Sequence, residues 1–132
     1  FPGEREEDFE ATSRLIESLP FTYLHVFSYS PRQGTEAARL PNPVPVPVIQ
    51  RRSGVLRRLG RAKNLAFRKR RVGETMEVLV LESRDRATGL LVGLTGNYLE
   101  ILFDGPDELM RGFVNVTITD VHPNRTTGYL TR

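Results

Sequence analysis

The hydrophobic pattern of the chain changes its period near Val72, and this change constrains the fold more than any other feature. Before it, apolar residues recur at helical spacing, at Val48, Val55, Leu59, Ala62 and Ala66. After it, short segments alternate apolar and polar residues, and turn signals separate them. The predicted strands cover residues 73–82, 88–95, 98–103, 111–121 and 126–131. Five short strands within about sixty residues are typical of a small closed or nearly closed β-barrel of the OB type.

The predicted helix before this barrel carries a concentrated positive charge. It has ten basic residues and no acidic one, at Arg51, Arg52, Arg57, Arg58, Arg61, Lys63, Arg68, Lys69, Arg70 and Arg71. The formal charge of the whole chain is only +3, so the remaining residues are acidic overall. Such a field attracts polyanions and gains free energy from the counterions they release. The pattern favours a polyanion-binding helix over a merely solvated one, with Arg57, Arg61 and Arg68 opposite its apolar stripe.

The first 47 residues predict a helix, a strand and a connector. Residues 4–19 predict a helix, because acids crowd its first turns and Pro20 ends it. Residues 21–28 predict a strand with apolar side chains on both faces, as in a parallel α/β sheet. The proline-rich residues 29–47 predict a stiff, extended connector between two packed units.

The composition excludes several kinds of site. The chain has no Cys, which excludes disulfides and thiolate metal sites within it. Of its two histidines, His25 is predicted to be packed in a core and His122 to lie in a solvent-exposed turn. No acid–base pair, Ser-His-Asp set or metal-spaced cluster can be assembled. No signal peptide or membrane-spanning run is present, so we expect a cytoplasmic location. The opening at Phe1, without Met, suggests a fragment of a longer protein.

Short motifs follow one another along the chain in a fixed order. They are Phe1-Pro2-Gly3-Glu4, Tyr23-Leu24-His25-Val26-Phe27-Ser28-Tyr29-Ser30-Pro31-Arg32, Lys63-Asn64-Leu65-Ala66-Phe67, Gly93-Leu94-Thr95-Gly96-Asn97-Tyr98 and Gly112-Phe113-Val114-Asn115-Val116. This set resembles the C-terminal part of the radical-SAM methylthiotransferases, which includes a TRAM domain. The run Leu94–Tyr98 most resembles the MtaB-like branch, which modifies N6-threonylcarbamoyladenosine beside the tRNA anticodon.

The resemblance implies an α+β chain in three parts. Residues 1–46 would be a short remnant of a radical-SAM α/β barrel, with one helix and one strand. Residues 47–71 would be the basic linker helix, and residues 72–132 the five-stranded, OB-like TRAM β-barrel. A strand that lacks its barrel neighbours has bare edges, so we expect self-association through residues 1–40.

The implied activity is that of a parent enzyme, a radical-SAM tRNA methylthiotransferase that adds a methylthio group to C2 of N6-threonylcarbamoyladenosine. Its expected cofactors are two [4Fe–4S] clusters and S-adenosylmethionine. Clusters of this kind are held by Cys thiolates, which this chain lacks. The chain alone is therefore expected to bind no cofactor and to be inactive, with no catalytic or metal-binding residue. Its expected partners are the anticodon region of tRNA and the other parts of the same enzyme, with no membrane involved.

Three alternatives stay open at this point. In the first, the parent is a methylthiotransferase of the isopentenyladenosine or ribosomal-protein branch. In the second, the chain is a non-catalytic RNA-binding module of OB type. In the third, the chain is a structural domain whose basic helix docks on an acidic partner. For RNA, cations of the helix would contact phosphates and exposed aromatics of the barrel would stack on bases. The predicted RNA-binding residues are Arg57, Arg61, Arg68, Lys69, Arg70, Arg71 and Tyr98. Phe103 is a further aromatic candidate, although a core position is the simpler interpretation.

Overall fold

The computed structural model describes residues 1–131 and forms two compact units, Phe1–Asn64 and Leu65–Arg132. The helices are α1 (Glu6–Ser18) and α2 (Val46–Lys69), and the boundary between the units falls inside α2. The predicted division into residues 1–46, 47–71 and 72–132 has its boundaries near the two ends of α2 instead, and it stays a prediction. No helix within residues 1–131 is long and apolar enough to cross a membrane.

The first unit begins with α1, close to the predicted helix. Three acids occupy its first turn, where the helix dipole favours negative charge. The Asp8 carboxylate accepts a hydrogen bond of 2.9 Å from the Arg5 backbone N–H, and this bond keeps the pKa of Asp8 below its ordinary value. Phe9 is the side chain that α1 buries. The acids thus fix where the helix starts, and Phe9 anchors it in the unit.

Residues 21–28 do not form a strand, and the prediction was wrong on this point. The segment lies along α2, and side chains of that helix satisfy some of the backbone groups that a neighbouring strand would otherwise pair. Arg57 Nη2 donates to the Val26 carbonyl (3.4 Å) and Asn64 Nδ2 to the Thr22 carbonyl (3.0 Å). The Ser53 and Ser28 hydroxyls add a side-chain contact of 3.0 Å. At Gly60 a Cβ would lie 3.2 Å from the Leu24 side chain, so a small residue there allows the close approach.

Side chains of this segment alternate between the helix and solvent. Leu24 and Val26 are half-buried, whereas Tyr23, His25 and Phe27 are exposed. The His25 ring lies edge-on to Tyr23, with centroids 4.6 Å apart, and parallel to Phe27 at 6.2 Å. The predicted core position of His25 is therefore wrong, because the structure described here covers only the opposite side of the segment.

Helix α2 confirms the predicted basic helix and begins at Val46, one residue before Pro47. Proline is tolerated there because the first-turn N–H groups have no partner within a helix. Its predicted apolar stripe is buried only in part, since Ala62 and Ala66 are exposed. The apolar stripe predicted from the sequence is therefore not the buried side of α2 at these two positions.

The second unit is a closed barrel with the strand order β1-β2-β3-β5-β4. Its strands are β1 (Thr75–Arg84), β2 (Leu91–Thr95), β3 (Glu100–Phe103), β4 (Phe113–His122) and β5 (Arg125–Leu130). The pairs are antiparallel except β3 with β5, which is parallel. All five predicted strands are present with slightly shifted ends, so the predicted α+β class with an OB-like barrel is confirmed.

Alternate residues of the strands fill the barrel. The fully buried side chains include Val78, Val80, Leu91, Ile101, Phe103, Val116 and Ile118. Phe103 is thus a core residue, as the simpler interpretation held. At Gly93 an added Cβ would lie 2.5 Å from Val78 Cγ2, so the barrel closes tightly only because β2 has no side chain at that position.

Candidate nucleic-acid interface

The ten cations of residues 51–71 lie in three environments. Arg51, Arg52 and Arg71 pair with acids, Lys63 donates to the Glu17 carbonyl, and Arg68 is buried beneath a barrel turn. The others are exposed to solvent, and they are Arg57, Arg58, Arg61, Lys69 and Arg70. Only this last group can meet a polyanion without first breaking strong contacts in the protein.

Arg51 and Arg52 pair with acids at the start of α1. Arg51 Nη2 lies 2.8 Å from Glu6 Oε2, and Arg52 donates to Glu6 Oε2 at 3.1 Å and to Glu4 Oε1 at 2.7 Å. Hydrogen bonds from Arg51 and Arg52 lower the pKa of Glu6 to about 2. The run therefore does have compensating acids, but they lie 45 to 48 residues earlier in the chain, out of reach of a local pattern.

Arg68 is buried and fixes the turn between β4 and β5. Only 7% of the residue is exposed, and burial lowers the pKa of its guanidinium. Its contacts are the carbonyls of His122 (2.8 Å), Arg125 (3.2 Å) and Pro123 (2.7 Å) and the Thr126 hydroxyl (3.2 Å). The predicted outward position of Arg68 is wrong, because the turn folds over the residue. We therefore leave Arg68 out of the candidate interface.

Lys69, Arg70 and Arg71 follow at the end of α2 and enter the barrel unit. The first two are exposed. Arg71 is half-buried, with its guanidinium carbon 4.9 Å from the centre of the Phe67 ring and its Nη1 3.0 Å from Glu74 Oε2. Arg71 is thus held at the start of the barrel, while Lys69 and Arg70 present their charges to solvent.

Arg57 and Arg61 lie on α2 within the first unit. Arg57 is exposed, although its Nη2 also reaches the Val26 carbonyl at 3.4 Å, a distance typical of a weak contact. The Arg61 side chain is exposed and makes no hydrogen bond or ion pair with residues 1–131. Arg58, which the sequence reasoning did not select, is also exposed and extends the same charged surface.

Tyr98 projects from the turn between β2 and β3. It is 85% exposed and has a φ of 63°, in the left-handed region that a non-glycine residue seldom adopts. The turn is held by its backbone N–H donating to the Thr95 carbonyl at 2.9 Å, and by the Leu99 N–H donating to Thr95 Oγ1 at 2.9 Å. A fixed turn thus keeps an aromatic ring in solvent, as a stacking platform requires.

The sequence reasoning missed three exposed residues of the barrel unit: Phe113, Arg125 and Tyr129. Arg125 belongs to the turn that Arg68 holds. A turn signal at residues 122–125 was visible in the sequence, but its link to the end of α2 was not. The predicted solvent exposure of His122 is confirmed, and its carbonyl accepts the hydrogen bond from Arg68.

Residues 1–131 contain no group of three or more His, Cys, Asp or Glu side chains that could hold a metal ion. The whole sequence has no Cys. The donor set that an iron–sulfur cluster needs is therefore not provided by this chain.

Comparison with known proteins adds family information to this geometry. A family model described as the TRAM domain matches residues 69–131, which include all five strands. The barrel is of the TRAM type. The match begins at Lys69, so the exposed pair Lys69 and Arg70 lies inside the TRAM region together with Tyr98.

Most of the chain is also similar to curated enzymes. A protein of Ehrlichia canis is 37% identical over 131 residues, covering 97% of this chain and 30% of its own length. One from Aeromonas hydrophila is 38% identical over 132 residues, covering 100% of this chain and 28% of its own. One from Escherichia coli is 35% identical with the same coverage. All three are named tRNA-2-methylthio-N(6)-dimethylallyladenosine synthase.

These names do not support the MtaB-like, threonylcarbamoyladenosine branch that the Leu94–Tyr98 run indicated. This five-residue hairpin motif is too short to separate branches, whereas the similarity to the enzymes named above extends over nearly the whole chain. The chain spans about 30% of the length of the relatives it matches.

Proposed function

We propose that the chain is the tRNA-binding portion of a methylthiotransferase that acts on N6-dimethylallyladenosine in tRNA. This is the isopentenyladenosine alternative of the sequence reasoning. One observation carries the proposal: the similarity to enzymes of that name extends over 97 to 100% of this chain. The TRAM match to the barrel supports an RNA-binding role for that unit.

The exposed charges and rings of the barrel unit support the same role. Lys69 and Arg70 offer two exposed cations for phosphates, and Tyr98 offers a ring for a base. Arg57 and Arg61 are further phosphate contacts in the first unit. Phosphate contacts of this kind supply affinity and position without reading sequence. Recognition of the anticodon region is part of the proposal, as is a cytoplasmic location.

The radical-SAM cofactors belong to the proposal for the parent enzyme. Two [4Fe–4S] clusters and S-adenosylmethionine would supply the sulfur transfer and the methylation. Because this chain has no thiolate, none of its residues fits a cluster. We assign no chemical step to it, and its contribution is to bind and orient the tRNA.

The decisive experiment compares tRNA nucleosides from the source organism with and without disruption of the gene. Liquid chromatography with mass spectrometry should show loss of 2-methylthio-N6-dimethylallyladenosine and accumulation of its unmethylthiolated precursor. Loss of the methylthio group from threonylcarbamoyladenosine instead would contradict the proposal and favour the other branch. Unchanged nucleosides would leave a non-catalytic RNA-binding module as the better description. Complementation by the intact gene is the control.

A further inference from the structure

The barrel presents a second surface, formed by the outward side chains of β1, β4 and β5, which we call the threonine face. Strand pairing places its members in three rows: Thr75, Thr117 and Tyr129; Glu77, Asn115 and Thr131; Leu79 and Phe113. Their inward neighbours, such as Val78, Val116 and Ile118, are buried, so the alternation of a strand turns these rows to the outside. Glu77 is the one charged member.

Hydroxyl groups from the first two rows of the threonine face form a network. Thr117 Oγ1 lies 2.7 Å from Thr75 Oγ1 and 2.7 Å from Thr131 Oγ1. Each hydroxyl has one proton and two lone pairs, so a chain of three retains capacity to donate or accept at its ends. Asn115, next to Thr131 in the second row, is exposed and adds an amide. The network is thus a pre-ordered, uncharged set of hydrogen-bonding groups.

Two exposed aromatic rings flank this network. Phe113 is 68% exposed and Tyr129 is 56% exposed. They lie on neighbouring strands, and Tyr129 pairs with Thr117, four residues along β4 from Phe113. Strand geometry therefore places the two Cα atoms roughly 14 Å apart. Both rings are therefore open to solvent at the two ends of one face, at a spacing that several nucleotides of an extended RNA strand can bridge.

We propose that the threonine face binds unpaired nucleotides of RNA, with bases stacked on Phe113 and Tyr129 and with the threonine hydroxyls bonded to sugar or base edges. This inference rests on the proposed function and adds a second contact surface to it. Single-stranded RNA is recognised by base stacking on aromatic rings and by contacts to the 2′-hydroxyl, and the threonine face offers both.

The cations at the end of α2 favour RNA over a protein partner. Arg70 is five residues from Thr75, so the two Cα atoms are at most about 18 Å apart. Backbone hydrogen bonds also hold this stretch against β4. The Glu74 N–H donates to the Arg71 carbonyl, and the Ile118 N–H donates to the Glu74 carbonyl. An RNA strand whose base stacks on Tyr129 can therefore keep its phosphates within reach of Lys69 and Arg70.

The barrel geometry disfavours one common mode of protein binding. A peptide that adds a strand needs a free sheet edge, and the barrel is closed. The outward residues of β2 and β3, namely Val92, Leu94, Glu100 and Leu102, are aliphatic or acidic. The exposed aromatic rings of the strands are thus found on the threonine face rather than on the β2–β3 face.

Tryptophan reporters can test base stacking directly, because the chain has no Trp. Phe113→Trp and Tyr129→Trp each introduce one fluorophore into an otherwise intact chain. Titration with an anticodon stem-loop RNA should quench both, whereas Tyr23→Trp, an exposed ring of the first unit, should respond much less. If the stem-loop binds with wild-type affinity and neither barrel reporter is quenched, the inference is overturned and the proposed function stands. If no variant binds the stem-loop at all, the proposed function also fails.

Truncation of the rings and removal of the central hydroxyl measure the contribution of the face. Phe113→Ala or Tyr129→Ala should weaken RNA binding about 5- to 150-fold, the range for loss of one stacked base. Thr117→Val should weaken binding of an RNA oligonucleotide severalfold more than binding of the DNA of the same sequence, which lacks 2′-hydroxyls. Thr12→Val, on α1, is the matched control. Unchanged RNA affinity in both alanine variants, with far-ultraviolet circular dichroism confirming the fold, would overturn the inference.

Discussion

Arg52 and Arg68 are both almost completely buried, with 8% and 7% of each residue exposed, yet they are stabilised in opposite ways. Arg52, in the first unit, meets the carboxylates of Glu4 and Glu6, so its charge is neutralised locally. Arg68, in the barrel unit, donates hydrogen bonds to uncharged oxygens, three carbonyls and one hydroxyl. A basic run in a sequence can thus contain an ion-paired helix anchor and a turn-organising cation, and neither is a ligand-binding residue.

The largest expected effect is from Arg68→Ala. The substitution removes hydrogen bonds to four oxygens and leaves part-buried carbonyls without a donor, which should cost about 2–4 kcal/mol of barrel stability. Arg68→Lys should recover only part, because an ammonium cannot reproduce the planar fork. Hydrogen exchange of the β4 and β5 amides measures the loss, and Arg70→Ala is the control. Unchanged protection of these amides from hydrogen exchange in Arg68→Ala would show that the turn is stable without the Arg68 hydrogen bonds.

A smaller effect is expected from Arg52→Ala in the first unit. The guanidinium is buried, but its partners Glu4 and Glu6 are partly exposed and can be solvated once it is removed. We therefore expect a loss of about 1–2 kcal/mol, seen as faster hydrogen exchange in α1. Arg14→Ala, which removes an exposed i,i+4 pair with Glu10, is the control and should have little effect. A loss as large as that of Arg68→Ala would remove the distinction between the two arginines.

The same comparison predicts different responses to acid. The pKa of Glu6 is about 2, below its ordinary 4.5. A carboxyl group with a lowered folded-state pKa stabilises the fold above its unfolded pKa, and this contribution is lost as the pH falls from about 4.5 toward 2. Exchange protection of α1 should therefore decrease over this window, while the turn between β4 and β5, where Arg68 donates to carbonyls and a hydroxyl, should change less. An NMR titration that places the Glu6 pKa near 4.5 would contradict this.

The barrel was predictable from the sequence because strand alternation and turn signals are local. The five strands and the core position of Phe103 follow from that pattern. The same pattern gave a wrong prediction for residues 21–28. Alternation shows that a segment has two different sides, but not whether a strand or a helix covers the apolar one. The partners of Arg52 and Arg68 lie 46 to 58 residues away, so spacing alone placed Arg68 on an outward face. The exposure of Lys69, Arg70 and Tyr98, by contrast, agreed with the sequence.

The last prediction concerns exposed cations that take part in neither the Arg52 ion pairs nor the Arg68 turn. Lys69→Glu combined with Arg70→Glu should weaken tRNA binding for all sequences about equally. It should also reduce the slope of log affinity against log salt by roughly 1.4–1.8, as expected for two lost phosphate contacts. Arg57→Glu combined with Arg61→Glu tests the first unit in the same way.

The control for net charge is Arg14→Glu combined with Arg39→Glu, since both residues are exposed and lie outside the basic run. Equal weakening by the control pair would mean that overall charge, and not the position of the exposed cations, governs binding. Arg68 is excluded from such reversals, because a carboxylate facing the same carbonyls would disrupt the turn and confound the affinity. An unchanged salt slope in both test pairs would show that none of these four cations contacts tRNA phosphates.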